Sequence, residues 1–157
     1  MITFSISALE KAPVKRSGEL PVEFFDLAAD DAFAVAGEGK YDLTAQLVSG
    51  GVLVSGTASA PLGATCGRCL KPVSFTLDAG DIQLFFEIGE NQELLEVDEE
   101  LRAELLLALP MNPVCSSDCQ GLCPVCGCDL NENECSCAPS DSASAVSPWS
   151  ALDGLEL

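Results

Sequence analysis

Apolar side chains recur at every second position through most of the first half of the chain, the period of strands that bury one face. Residues 2–6 alternate in this way. Residues 9–19 contain Pro13 and Gly18 and read as a loop. Residues 20–27 form a second strand candidate, although their apolar positions do not alternate cleanly. Tyr41, Leu43, Ala45 and Leu47 alternate with polar residues, Ser49-Gly50-Gly51 makes a turn, and Val52 and Val54 resume the alternation. That is a hairpin signal. Small residues over 56–64 continue as an extended stretch. Val73, Phe75 and Leu77 alternate, as do Ile82, Leu84 and Phe86.

Residues 91–100 are acidic and begin as a loop. From Asp98 the period changes to that of a helix, with Leu101, Leu105, Leu106 and Leu109 on one side and Glu99, Glu100, Arg102 and Glu104 mostly opposite. Asp98 fits an N-cap, the acidic first turn suits the helix dipole, and Pro110 ends the helix. Core packing is the simplest use of the leucine face. Residues 138–147 are small and polar and read as a linker. Ser147 and Pro148 then suit the start of a short helix carrying Trp149, Leu152 and Leu155. The expected fold is α+β. An antiparallel, partly closed sheet with one packed helix near 98–109 occupies residues 1–110. A cysteine-rich zinc-knuckle segment follows over 111–137, then the linker, then a short C-terminal helix over 148–157.

The candidate chemistry lies in cysteine. Residues 115–137 read CSSDCQGLCPVCGCDLNENECSC, with seven cysteines in 23 residues, and TCGRC adds Cys66 and Cys69. The latter pair falls at the turn between two extended segments, which can aim both sulfurs at one point. Cys123-Pro-Val-Cys126-Gly127 is the CPxCG turn of a zinc knuckle, in which two thiolates share a tight turn and the glycine lets the backbone double back. Zinc takes four tetrahedral ligands. The expected sites are Cys123, Cys126, Cys135 and Cys137, and Cys66 and Cys69 with Cys115 and Cys119, for two structural zinc ions. Cys128 is then the spare thiol. Spacing alone does not fix the pairing, and Cys135-Ser-Cys137 is a tight bite from which one sulfur or both can ligate. Four cysteines also suit an iron–sulfur cluster, and clustered thiols suit a redox switch.

Residues 1–9 lack the basic stretch and cleavage site of a secretory leader, and no apolar run approaches the roughly 20 residues of a membrane span. A soluble, cytoplasmic protein is expected, where clustered thiols stay reduced and bind metal. The odd count of nine cysteines suits disulfides poorly. With no histidine in the chain, any zinc site is thiolate or carboxylate. Neither a phosphate loop nor a nucleophile elbow is present, so no enzyme is expected. Only a carboxylate-based, magnesium-dependent nuclease stays open, together with a zinc-thiolate redox sensor outside enzymes. The net charge of −18, with seven basic residues, leaves no general electrostatic footprint for nucleic acid. Such acidity serves solubility, or attraction to a basic protein.

The ordered landmarks Cys66-Gly-Arg-Cys69-Leu-Lys-Pro72, Glu104–Pro110, Cys115 to Gly127, Asp129-Leu-Asn131, Cys135-Ser-Cys137 and Pro148-Trp149-Ser-Ala-Leu152 resemble the YceD family, the large ribosomal RNA subunit accumulation proteins. The resemblance implies a role in accumulation or processing of large-subunit (23S) ribosomal RNA, hence ribosome biogenesis. It also implies a partner in a basic large-subunit ribosomal protein or a pre-ribosomal particle. Direct RNA binding stays open, and neither a membrane nor a small-molecule substrate is implied. In the family as resembled, Cys128 has no counterpart among the usual cysteines, in keeping with a spare.

Overall fold

The computed structural model describes residues 1–27, 32–89 and 91–137. The expected linker over 138–147 and tail helix over 148–157 lie outside the described residues. Among the described residues, seven strands and two α-helices run in the order β1 (Thr3–Ser5), α1 (Ile6–Leu9), β2 (Val14–Leu20), β3 (Phe33–Val35), β4 (Gly39–Val48), β5 (Gly51–Thr65), β6 (Pro72–Glu87), β7 (Leu94–Glu96) and α2 (Asp98–Leu107). A 3-10 turn, Val22–Phe25, lies between β2 and β3. All strand pairs are antiparallel. The expected antiparallel, partly closed sheet with a packed helix is what the chain forms, the sheet curling into a half-barrel.

The 15-residue β5 organises the main sheet. One of its edges carries β4 along Gly51–Ser59 and then β3 along Leu62–Ala64; the other carries β6 along nearly its whole length. β2 pairs with the far edge of β4. The β4–β5 hairpin turns at Gly50, whose φ of +90° suits glycine. Between the Gly56–Ile82 and Ala58–Ala79 pairs, β6 spends one residue more than β5. This bulge flips the alternation on β6: Leu77 and Ala79 face the core before it and Ile82 after it, all buried. On the core face, Leu43, Ala45, Val52, Val54, Ala60, Leu62 and Ile82 pack with Phe4, Phe25 and Val97. α2 closes this face with Leu101 and Leu105, both fully buried. Burial of each such leucine contributes roughly 1.5–3 kcal/mol.

Four local expectations are corrected. Residues 9–19 are not all loop, because Val14–Leu20 is an edge strand. Its residues Lys15 to Glu19 are exposed, so no apolar alternation marks it. Residues 20–27 are not a strand, since Val22–Phe25 winds into a 3-10 turn that buries Phe25. The stretch before α2 contains β7, which pairs with β1 in a separate two-stranded sheet. Asp98 is the first helical residue and Val97 takes the cap position. The Asp98 carboxylate instead accepts the Ile2 backbone N–H at 2.8 Å and so fastens the β1 end to the helix.

Candidate metal centre

At the far end of the β5–β6 pair the chain must turn, and residues 66–71 make that turn. The Leu70 N–H donates to the Cys66 carbonyl at 3.0 Å and the Cys66 N–H to the Lys71 carbonyl at 2.8 Å. Leu70 takes a positive φ of 60° to complete it. Both sulfurs of the turn are buried, and Cys119 is buried beside them, with Val73, Val114 and Leu122 packed around. The Gly67 N–H donates to the Pro113 carbonyl at 2.9 Å. Arg68 Nη1 donates to the carbonyls of Cys119 at 2.9 Å and Ser117 at 3.2 Å. These bonds bring the segment leaving α2 onto the turn, with Cys115 and Cys119 delivered to Cys66 and Cys69.

A second group forms within the C-terminal segment. The Gly127 N–H donates to the Cys123 carbonyl at 2.8 Å, and Gly127 holds a φ of +74°, as the CPxCG turn requires. The Val125 N–H points at Cys123 Sγ at 3.4 Å, and the Cys137 N–H at Cys135 Sγ at 3.4 Å. Thus Cys66, Cys69, Cys115 and Cys119 form one tetrad and Cys123, Cys126, Cys135 and Cys137 another. Within each, the four sulfurs lie within 4.8 Å of one another. The structure brings all eight candidate residues together and leaves Cys128 out of either tetrad.

Sulfur separations test the fit to a metal. Ligands 2.3 Å from a tetrahedral zinc sit about 3.8 Å apart, whereas a disulfide needs about 2.05 Å. Cys66–Cys119 is 3.9 Å and Cys69–Cys115 is 3.6 Å. Cys126–Cys135 is 3.6 Å and Cys123–Cys135 is 3.4 Å. Both tetrads therefore fit a single ion at the centre, and all nine cysteines are unpaired thiols. Backbone donors prepare the sulfurs for negative charge. The N–H groups of Cys69 and Arg68 pull the Cys66 thiol down to about 6. The N–H of Cys128, with the Cys128 thiol, pulls Cys126 down to about 6. Hydrogen bonds to neighbouring sulfurs work the other way: the one to Cys119 pushes Cys115 up to about 12, and the one to Cys135 pushes Cys137 up to about 12. Cys128 is likewise pushed up to about 12, chiefly by Cys126.

Four polar residues around the tetrads, Lys71, Asp129, Asn131 and Glu132, are not among the expected site residues. Lys71 Nζ stands 2.7 Å from Asp129 Oδ2 and 2.5 Å from Glu132 Oε1, joining the β5–β6 turn to the loop of the second tetrad. The pair shifts both partners, holding Lys71 above and Asp129 below their ordinary ranges. Asn131 donates from Nδ2 to Cys119 Sγ at 3.5 Å. The Asp129-x-Asn131 spacing is that of an Asx turn, the one local signal that could have marked this loop. Among the described residues, no helix is long and apolar enough to cross a membrane.

Residues 81–156 match the family model described as large ribosomal RNA subunit accumulation protein YceD. The match covers the landmarks from Glu104 onward and begins after Cys66 and Cys69, so the first tetrad draws two of its sulfurs from outside it. An uncharacterized protein of Mycobacterium tuberculosis and one of Mycobacterium bovis are each 37% identical over 103 residues, covering 57% of this chain and 50% of theirs. An uncharacterized protein of Mycobacterium leprae is 29% identical over 122 residues, covering 69% of this chain and 54% of its own. The chain spans about half the length of the curated relatives it matches. No solved structure matches significantly.

Proposed function

Because residues 81–156 carry the match to the YceD family, we propose that the protein is a non-enzymatic factor supporting accumulation or processing of large-subunit ribosomal RNA. The family match is the observation that carries this reading. The two tetrads are structural zinc sites in it. Their sulfur separations of 3.4–3.9 Å suit one ion at each centre. An iron–sulfur cluster would spread its cysteines over several irons. Four thiolates per ion leave no open position for substrate, unlike a catalytic zinc.

The partner in this reading is a basic large-subunit ribosomal protein or a pre-ribosomal particle, met by the acidic surface. Charge supports protein over RNA as the direct contact. Of the seven basic residues, Lys15 pairs with Asp42 at 2.9 Å, Lys71 with Asp129 and Glu132, and Arg68 is spent on two carbonyls. Few cations are left for phosphates, whose neutralisation supplies most nucleic-acid affinity. The test is a binding titration of the zinc-loaded chain against basic large-subunit ribosomal proteins and against 23S RNA, each over a salt series. Strong binding to a protein that weakens with salt supports the reading; salt-independent binding counts against its electrostatic part. Unchanged 23S RNA levels in cells depleted of the protein would overturn the whole role.

One feature favours a second reading, a zinc-thiolate redox sensor. Cys126 is exposed and its thiol sits at about 6, the profile of a reactive thiolate. That reading requires reversible zinc release under mild oxidant, followed by disulfides within the second tetrad. Retention of zinc at oxidant levels that oxidise free glutathione removes it.

A further inference from the structure

Asn131 belongs by sequence to the second tetrad, in the loop that leads from Cys128 to Cys135. Its side chain acts at the first. Nδ2 donates to Cys119 Sγ at 3.5 Å and Oδ1 accepts the Gln120 N–H at 2.8 Å. Its orientation is set by Asp129, whose Oδ1 accepts the Asn131 N–H at 2.9 Å and Nδ2 at 2.7 Å. Lys71 in turn grips Asp129, and Lys71 lies two residues beyond Cys69. The loop backbone closes on the same strip, with the Leu130 N–H donating to the Gly121 carbonyl at 2.9 Å and the Cys123 N–H to the Cys128 carbonyl at 2.8 Å.

We propose that the two tetrads load metal cooperatively, with Asn131 as the positioning residue through which occupancy of the exposed tetrad raises the affinity of the buried one. The proposal rests on the reading of both tetrads as metal sites. Cys66 accepts backbone N–H groups from Arg68 and Cys115, both 3.4 Å away. Cys119 draws its donor from the loop of the other site. A donor to a ligating thiolate is worth roughly 10–100-fold in metal affinity. Asn131, Glu132, Asn133 and Glu134 are solvent-exposed, so the loop is held by its own hydrogen bonds, by Lys71 and by whatever fixes its ends. Those ends are anchored by Cys126, two residues before Cys128, and by Cys135. An ion between them orders the loop, and the cost of placing Asn131 no longer falls on the Cys119 bond. By linkage, an ion in the buried tetrad raises the affinity of the exposed one by the same factor.

Cobalt(II) is the probe, since its thiolate charge-transfer absorption reports four-sulfur sites. The full chain is titrated against a competing chelator beside two single-site chains, Cys126→Ser with Cys135→Ser and Cys69→Ser with Cys115→Ser. The product of the two single-site constants is compared with the two-metal constant of the intact chain. The expected excess of the intact chain is about tenfold, and it disappears when Asn131→Ala is added to all three. No excess in the intact chain overturns the proposal, as does an excess that survives Asn131→Ala. Absence of any charge-transfer band overturns the metal reading itself and is recognised as such. Should a single-site chain lose its sheet signal in circular dichroism, Lys71→Met in the otherwise intact chain takes its place. That substitution leaves every sulfur untouched, and it is expected to split the titration into two separated phases. A titration indistinguishable from the original overturns the proposal.

Discussion

Cys126 and Cys128 show how two neighbouring thiols come to differ. The Cys128 N–H and thiol draw Cys126 down to about 6, and the same contact drives Cys128 up to about 12. At pH 7 in the metal-free, reduced chain, Cys126 is largely thiolate and Cys128 is not. Iodoacetamide is therefore expected to label Cys126 well before Cys128, as read by peptide mass mapping. The Cys126 rate should fall as pH drops through about 6, where its thiolate protonates. Faster labelling of Cys128 would contradict this. The sequence marks Cys128 as spare by counting alone. It says nothing of reactivity, because that depends on which N–H groups the folded turn aims at each sulfur.

The β4–β5 pair depends on one close approach, where Gly56 lies opposite Leu43. A Cβ on Gly56 would lie 2.0 Å from the Asp42 carbonyl oxygen and 2.9 Å from Leu43 Cα, both backbone atoms that cannot step aside. Gly56→Ala is expected to cost about 3 kcal/mol, measured as a lower urea midpoint; a loss under about 0.5 kcal/mol, the usual range for a surface substitution, would show that the strands can part there. Asp98→Ala removes the charge-assisted acceptor for the Ile2 N–H. About 2 kcal/mol of local stability should go with it, seen as faster amide exchange in β1 and β7 while β5 stays protected. Strands such as β4 and β5 are legible in the sequence because a buried face stamps its period on the chain. β2 leaves no such stamp: its middle residues face water, and it is held through backbone bonds to β4. β7 is three residues long, and a pattern that short carries no period. Asp98 reads as a cap because caps are local, whereas its real partner is 96 residues away.

In the whole molecule, the sheet and the tetrads are separate packing units. Among the described residues, the core around Phe4, Leu43, Val54 and Leu101 does not merge with the cluster around Cys66, Cys69 and Cys119. Chelation is therefore expected to leave the sheet intact and to free residues 111–137. Limited proteolysis with mass detection should find new cuts there, with the far-ultraviolet sheet signal retained; loss of that signal would mean the tetrads hold the sheet together as well. The four cysteine pairs are legible because each is local in the chain, but their assortment into two sets is not fixed by spacing; it depends on the fold bringing Cys115 and Cys119 to the turn at Cys66 and Cys69. The ties between the sets are not legible either, since Lys71–Asp129 and Asn131–Cys119 join residues 58 and 12 apart through side chains of ordinary type. The buried tetrad also spans time. Its two halves are 46 residues apart in the chain between Cys69 and Cys115, about 2–9 s of synthesis at ribosomal rates. The exposed tetrad, confined to residues 123–137, emerges almost at once. The first half-site must wait on the ribosome as an open pair of thiols while β6 and α2 are made. A metal ion can complete the buried tetrad only after the sheet beneath it has been synthesised.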